Sequence, residues 1–148
     1  MRIQYARTRA GLFLLGVLLS GAITGCGSAG SQKADEELFH NNALEEVGTI
    51  YVSHLGDVKK PPTKLAEFAK YEIGMPTGFN ELRSGNIIAF LGASPSDAEV
   101  DKVLAYEKSV PEAGGFVLMG DGKTVKKLTA DEFKSAPKAG TTTTDKAK

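Results

Sequence analysis

A change of hydrophobic period near residue 85 constrains this chain more than any other feature. Before it, Phe39, Ala43, Val47, Ile50 and His54 recur at spacings of three and four, the stripe of one helix face. Leu44, Tyr51 and Leu55 widen that stripe. After it, the apolar residues fall into short runs of strand length, such as Ile87-Ile88-Ala89-Phe90-Leu91 and Phe116-Val117-Leu118-Met119. A striped helix must cover its apolar face with something, and a small sheet is the partner at hand. The expected fold is α+β: a long N-terminal helix packed on a three- to four-stranded antiparallel meander, with a short C-terminal helix.

The local signals give the elements. Asp35-Glu36-Glu37 place negative charge where a helix N-terminus favours it, so the first helix is predicted over 35–55, ending at Gly56-Asp57. Gly48 inside it costs about 1 kcal/mol relative to Ala, which points to a close backbone approach. Lys59-Lys60-Pro61-Pro62 reads as an extended basic connector. Thr63 then caps a second helix over 64–71, and Pro76-Thr77-Gly78 reads as a turn. Strands are expected over 86–91, 103–108, 116–119 and 124–128. Between the first two lies a loop over 92–101, in which 96–99 has the alternative of a helical turn. Asp121-Gly122 is the signal of a two-residue type I′ hairpin. Thr129 and Glu132 form a capping box, with Leu128 and Phe133 as its hydrophobic staple.

The first 25 residues stand apart. Arg2, Arg7 and Arg9 give a basic start without an acid, and Ala10 to Leu19 form an apolar run. That run is too short for a bilayer span, which takes roughly 20 residues, and suits the core of an export signal. It ends in Ile23-Thr24-Gly25-Cys26, and Cys26 is the single cysteine. This tetrapeptide resembles the lipobox of bacterial lipoproteins. The resemblance implies cleavage between Gly25 and Cys26, a diacylglyceryl group on the Cys26 thiol and usually an added N-acyl chain. More than one acyl chain is what stable membrane anchoring needs. Gly27, rather than an aspartate, follows the cysteine; in a Gram-negative host the resemblance implies the outer membrane, facing the periplasm.

Residues 1–25 therefore read as a signal peptide, 26–33 as a Gly/Ser tether, 34–136 as a single domain and 137–148 as a disordered tail without large apolar residues. The chain has 18 basic and 18 acidic side chains. Losing the three leader arginines leaves the remainder net negative, which argues against a nucleic-acid partner. One cysteine excludes an internal disulfide.

Two stretches of the domain resemble bacterial prepilin-like proteins of unknown function. The first is Asn41-Asn42-Ala43-Leu44-Glu45-Glu46-Val47-Gly48 with Tyr51, His54, Gly56 and Pro61-Pro62. The second runs from Val103 to Lys108 and from Gly114 to Gly122, with Val125. The resemblance implies a pilin-head-like fold. The chain departs from the family at Pro111, where the signature has histidine, and at its start, where a lipobox replaces the pilin helix.

No side-chain constellation announces catalysis, a cofactor or a metal. His40 and His54 lie 14 residues apart on the first helix, roughly 21 Å at 1.5 Å per residue, too far to share an ion. His40 is expected to be solvated and His54 half-buried near the helix end. Glu36-Glu37 and Glu45-Glu46 diverge around the helix as adjacent positions do. Ser94, Ser96 and Ser109 lack a nucleophile-elbow context, and no phosphate-loop, dinucleotide or zinc motif occurs. The expected function is thus a lipid-anchored cell-envelope module, non-enzymatic, which binds or scaffolds another envelope protein. Two alternatives stand beside it: a small-ligand binder using the groove between helix and sheet, and a weak hydrolase using Glu107 and Asp121.

Overall fold

A computed structural model describes the backbone of residues 29–142 and the side chains of residues 34–140. The export segment 1–25, the Gly25–Cys26 cleavage position, the lipidation position Cys26 and residues 143–148 lie outside the described residues.

The chain runs through helix α1 (Ala29–Val58), a 3-10 helix (Leu65–Tyr71) and α2 (Pro76–Ser84) into strand β1 (Ile87–Leu91). After a 3-10 turn (Asp97–Glu99) come β2 (Val103–Glu107), α3 (Val110–Ala113), β3 (Gly115–Met119), β4 (Val125–Leu128), α4 (Ala130–Ser135) and β5 (Thr141–Thr142). The sheet order is β4-β3-β2-β1-β5, with every neighbouring pair antiparallel. The long helix, the four-stranded meander β1–β4 and the short C-terminal helix are the α+β fold read from the sequence. Among the described residues no helix is long and apolar enough to cross a membrane.

Strand alternation sends side chains to two cores. Ile87, Ala89, Leu91, Leu104 and Leu118 meet Leu44, Val47, Ile50 and Tyr51 of α1. Phe90, Val103, Val117 and Met119 form a second cluster with Val110 of α3 and Phe133 of α4. The reverse face of the sheet is therefore covered as well. The exposed edge strand β4 carries Lys126 and Lys127, charges that discourage pairing with another chain.

Several elements differ from the sequence reading. α1 starts at Ala29, so the last five residues assigned to the tether are helical. It passes through Gly56 and Asp57 and stops where Lys59 takes a left-handed φ of 60° ahead of Pro61. The 64–71 segment winds as a 3-10 helix. Pro76-Thr77-Gly78 opens α2 instead of a turn, with Pro76 at the first helical position, where its missing N–H costs nothing. The Gly78 N–H donates to Glu46 at 2.7 Å, and a Cβ at Gly78 would overlap the α1 backbone. α3 was hidden in the sequence because it is one turn long.

The β3–β4 connection is not a type I′ turn. Only Gly122 has positive φ, and the Met119 N–H donates to Thr124 O across a longer loop. Asp121 organises it by accepting from the N–H groups of Lys123 and Thr124 and from the Thr124 hydroxyl.

The predicted tail also begins too early. The Val103 N–H donates to Pro137 O, the Ala139 N–H donates to Val103 O, and β5 pairs with β1. The Lys138 ammonium donates to the carbonyls of Phe133 and Ala136 and sits 4.1 Å from the Phe133 ring centroid. Backbone and cationic contacts order this stretch, so its poverty in large apolar residues misled the reading. The capping box of α4 is present: the Thr129 hydroxyl accepts from the Glu132 N–H, and the Thr129 N–H donates to the Glu132 carboxylate.

Gly48 marks a close approach, as its position suggested. A Cβ there would collide with the Gly122 carbonyl, whereas a Cβ at Gly56, in the same helix, meets nothing within 4 Å. Both substitutions to alanine gain about 1 kcal/mol of helix propensity. At Gly48 an overpacking cost of about 3 kcal/mol outweighs it. Urea denaturation should therefore show Gly48→Ala less stable by about 2 kcal/mol and Gly56→Ala more stable by about 1 kcal/mol.

Candidate functional site

The first turns of α1, residues 34–39, are exposed, and the helix is covered only from His40 onward, apart from the ion pair of Glu37 with Lys127 of β4. At that junction lies a cleft of about 580 Å³ between α1, α2 and the β2–α3 corner. Its ionisable lining comes from four elements: Glu36 and His40 from α1, Glu81 from α2, Glu107 from β2, and Glu112 from α3, with Lys108 as the single cation.

Glu107 is the best-held member. Its side chain is 13% exposed. One carboxylate oxygen accepts the Phe116 N–H at 2.8 Å. Gly115 makes room for it, since a Cβ there would lie 2.7 Å from that oxygen. The other oxygen is buried and lies 2.5 Å from His40 Nδ1 without forming a hydrogen bond.

His40 is 40% exposed and is not simply solvated. Its ring stacks on Phe116 at 6.5 Å and 14°, with Phe39 edge-on at 5.8 Å. Its Nε2 lies 3.9 Å from Glu36, one helical turn back. A second cleft of about 350 Å³ shares Glu36, His40 and Glu107 and continues over Phe116 to Lys127. Lys127 lies 5.1 Å from the Phe116 ring centroid and 2.8 Å from a Glu37 oxygen. The result is an open groove with carboxylates at one end and the Phe116 ring, with Lys127 over it, at the other.

The other residues singled out in the sequence fall elsewhere. Asp121 lines neither of the clefts that Glu107 lines. Burial works to raise its pKa, but hydrogen bonds from Thr124 and Lys123 prevail and hold it below the usual carboxylate range. It is a loop organiser, so the pairing of Glu107 with Asp121 as two acids of one site is overturned. Glu46 caps the start of α2, and Glu45 accepts from Asn41 at 2.7 Å. Ser109 lines the cleft. His54 is 2% exposed, fully buried rather than half-buried. Among the described residues no group of three or more His, Cys, Asp or Glu side chains is placed to hold a metal. The partnership of His40 with Glu107 was missed because it joins residues distant in sequence, and no local spacing encodes it.

Compared with known proteins, the chain matches no family model, no curated protein and no solved structure.

Glu107→Ala leaves the Phe116 N–H without its acceptor, a cost of about 1–3 kcal/mol for a buried donor. His40→Ala removes a half-exposed ring and should cost about 1 kcal/mol or less. Equilibrium unfolding of both variants is expected to rank them in that order.

Proposed function

We propose that this chain is the head of a lipid-anchored cell-envelope protein. It is tethered through Cys26 and acts without catalysis by binding a positively charged segment of an envelope partner in the groove around His40 and Glu107. The observation that carries the binding half is the convergence of four carboxylates from α1, α2, β2 and α3 on one open cleft with a single lysine. Such a field steers cationic partners and repels anionic ones. The anchoring half rests on the order of basic start, apolar run and lone cysteine at 23–26. The prepilin-like stretches support a structural rather than a chemical role.

The small-ligand reading keeps only part of its ground. Ala43, Leu44, Val47, Ile50 and Tyr51 of α1 are all at most 1% exposed, so the helix–sheet interface is filled. A small ligand would have to use the edge cleft. A hydrolase built on Glu107 and Asp121 has lost its shared site.

The test has two arms. Protein extracted from native membranes should have the mass of residues 26–148 plus acyl groups, and Cys26→Ser should leave the membrane fraction. A photocrosslinker at Phe39 should then capture a neighbour, and Glu36→Lys with Glu112→Lys should cut that capture about tenfold, since both side chains are exposed and reversing a rim charge changes encounter. An unmodified Cys26 sinks the anchoring half. Capture that is insensitive to the charge reversal sinks the groove.

A further inference from the structure

The far end of α1 holds a titratable group that the groove does not use. His54 is 2% exposed, with its ring edge-on to Phe68 at 5.7 Å and to Tyr71 at 6.4 Å. Both aromatic residues belong to the 3-10 helix that closes over this face of α1. Neither ring nitrogen of His54 has a hydrogen-bond partner among the described residues. A buried donor left that way costs about 1–3 kcal/mol. Nε2 lies 3.4 Å from the Glu67 carboxylate, which is close but unaligned.

Glu67 is fixed by its other oxygen. That oxygen accepts the Thr63 hydroxyl at 2.7 Å and the Thr63 N–H at 3.4 Å, leaving the second oxygen turned toward His54. We propose that His54 and Glu67 form a proton-operated latch that fastens the segment 63–71 to α1.

The charged and titratable groups around the ring are few. α1 contributes Asp57, the connector Lys64, and the 3-10 helix Glu67, Lys70 and Tyr71. Lys70 and Tyr71 both donate to Asp57, at 3.0 and 2.8 Å. Glu67 is therefore the carboxylate left for the ring. Its pKa is lowered, first by the Thr63 hydroxyl and against the effect of burial, so it stays ionised further into acid than an ordinary glutamate.

The sign follows from these partners. A neutral imidazole offers Glu67 one uncharged N–H. A protonated one places a positive charge 3.4 Å from the carboxylate, an attraction that does not need an aligned hydrogen bond. The latch is closed while His54 carries its proton and Glu67 does not. It weakens when the ring loses that proton, and again in strong acid when Glu67 takes one up. The connector enters the segment through Lys59, which holds a left-handed φ, and residues 59–60 are exposed.

Hydrogen exchange of the full chain tests this by comparing about pH 8 with about pH 5.5, after correction for intrinsic rates. Protection of peptides within 63–71 should rise about tenfold on acidification relative to the β2 and β3 peptides. His54→Phe keeps a ring in place and removes both nitrogens; Glu67→Gln keeps the shape and removes the charge. Both should abolish the rise. A segment that loosens on acidification, shows no change, or keeps its response in either variant overturns the latch. Should His54→Phe fail to fold, the His54 ring resonances in the unsubstituted protein decide: they must titrate together with the amide shifts of 63–71. A segment that responds while the ring does not titrate also overturns it.

Discussion

The contact on which this structure depends is the seat of α1 on the sheet, where Gly48 lets the helix backbone close against the Gly122 carbonyl of the β3–β4 loop. A helix can come that near a loop only where it has no side chain. Around this point Leu44, Val47, Ile50 and Tyr51 are fully buried, each contributing roughly 1.5–3 kcal/mol through area removed from water. The Tyr51 hydroxyl finds its acceptor at Phe90 O, 3.0 Å away on β1, which keeps the one polar atom in this seam satisfied. Burial raises the pKa of that hydroxyl, so it remains a donor throughout the physiological range. The register of helix on sheet is thereby set at two points, one steric and one polar.

The cleft and the His54 contact hang from the two ends of that helix. At its N-terminal side the helix leaves the sheet, and the gap becomes the acidic cleft around His40 and Glu107. At its C-terminal side the 3-10 helix folds back over it and traps His54. One helix thus carries an open, charged surface at one end and the buried His54–Glu67 contact at the other. The exposed turns at 34–39 continue from the cleft toward the start of the chain.

Much of the fold was legible because it rests on local rules. The helix stripe from Phe39 to His54, the four strand-length runs and the Thr129–Glu132 capping box each encode their structure within a few residues. The failures have equally specific causes. Pro76 was read as a turn residue, although proline also begins helices. Gly78 belongs to the same turn signal, although its role is to let α2 rest on α1. The stretch over 137–142 looked unable to order itself because its contacts are backbone hydrogen bonds and a lysine. Asp121-Gly122 was rightly seen as a connection between strands, but the aspartate side chain, not its backbone, shapes the loop. The site was least legible of all: Glu107 and His40 meet only through tertiary structure, and His54 shows its burial only once Phe68 and Tyr71 are folded over it.

The claim that α1 seated at Gly48 organises everything else is most directly tested by residue-resolved native-state hydrogen exchange under increasing denaturant. The amides of α1 between 43 and 54 should exchange only through global unfolding, merging with those of β2 and β3, while residues 34–39 exchange through local opening at far lower cost. If the 43–54 amides open in a separate event while the sheet stays protected, the helix is an accessory to the fold rather than its organiser, and the account fails.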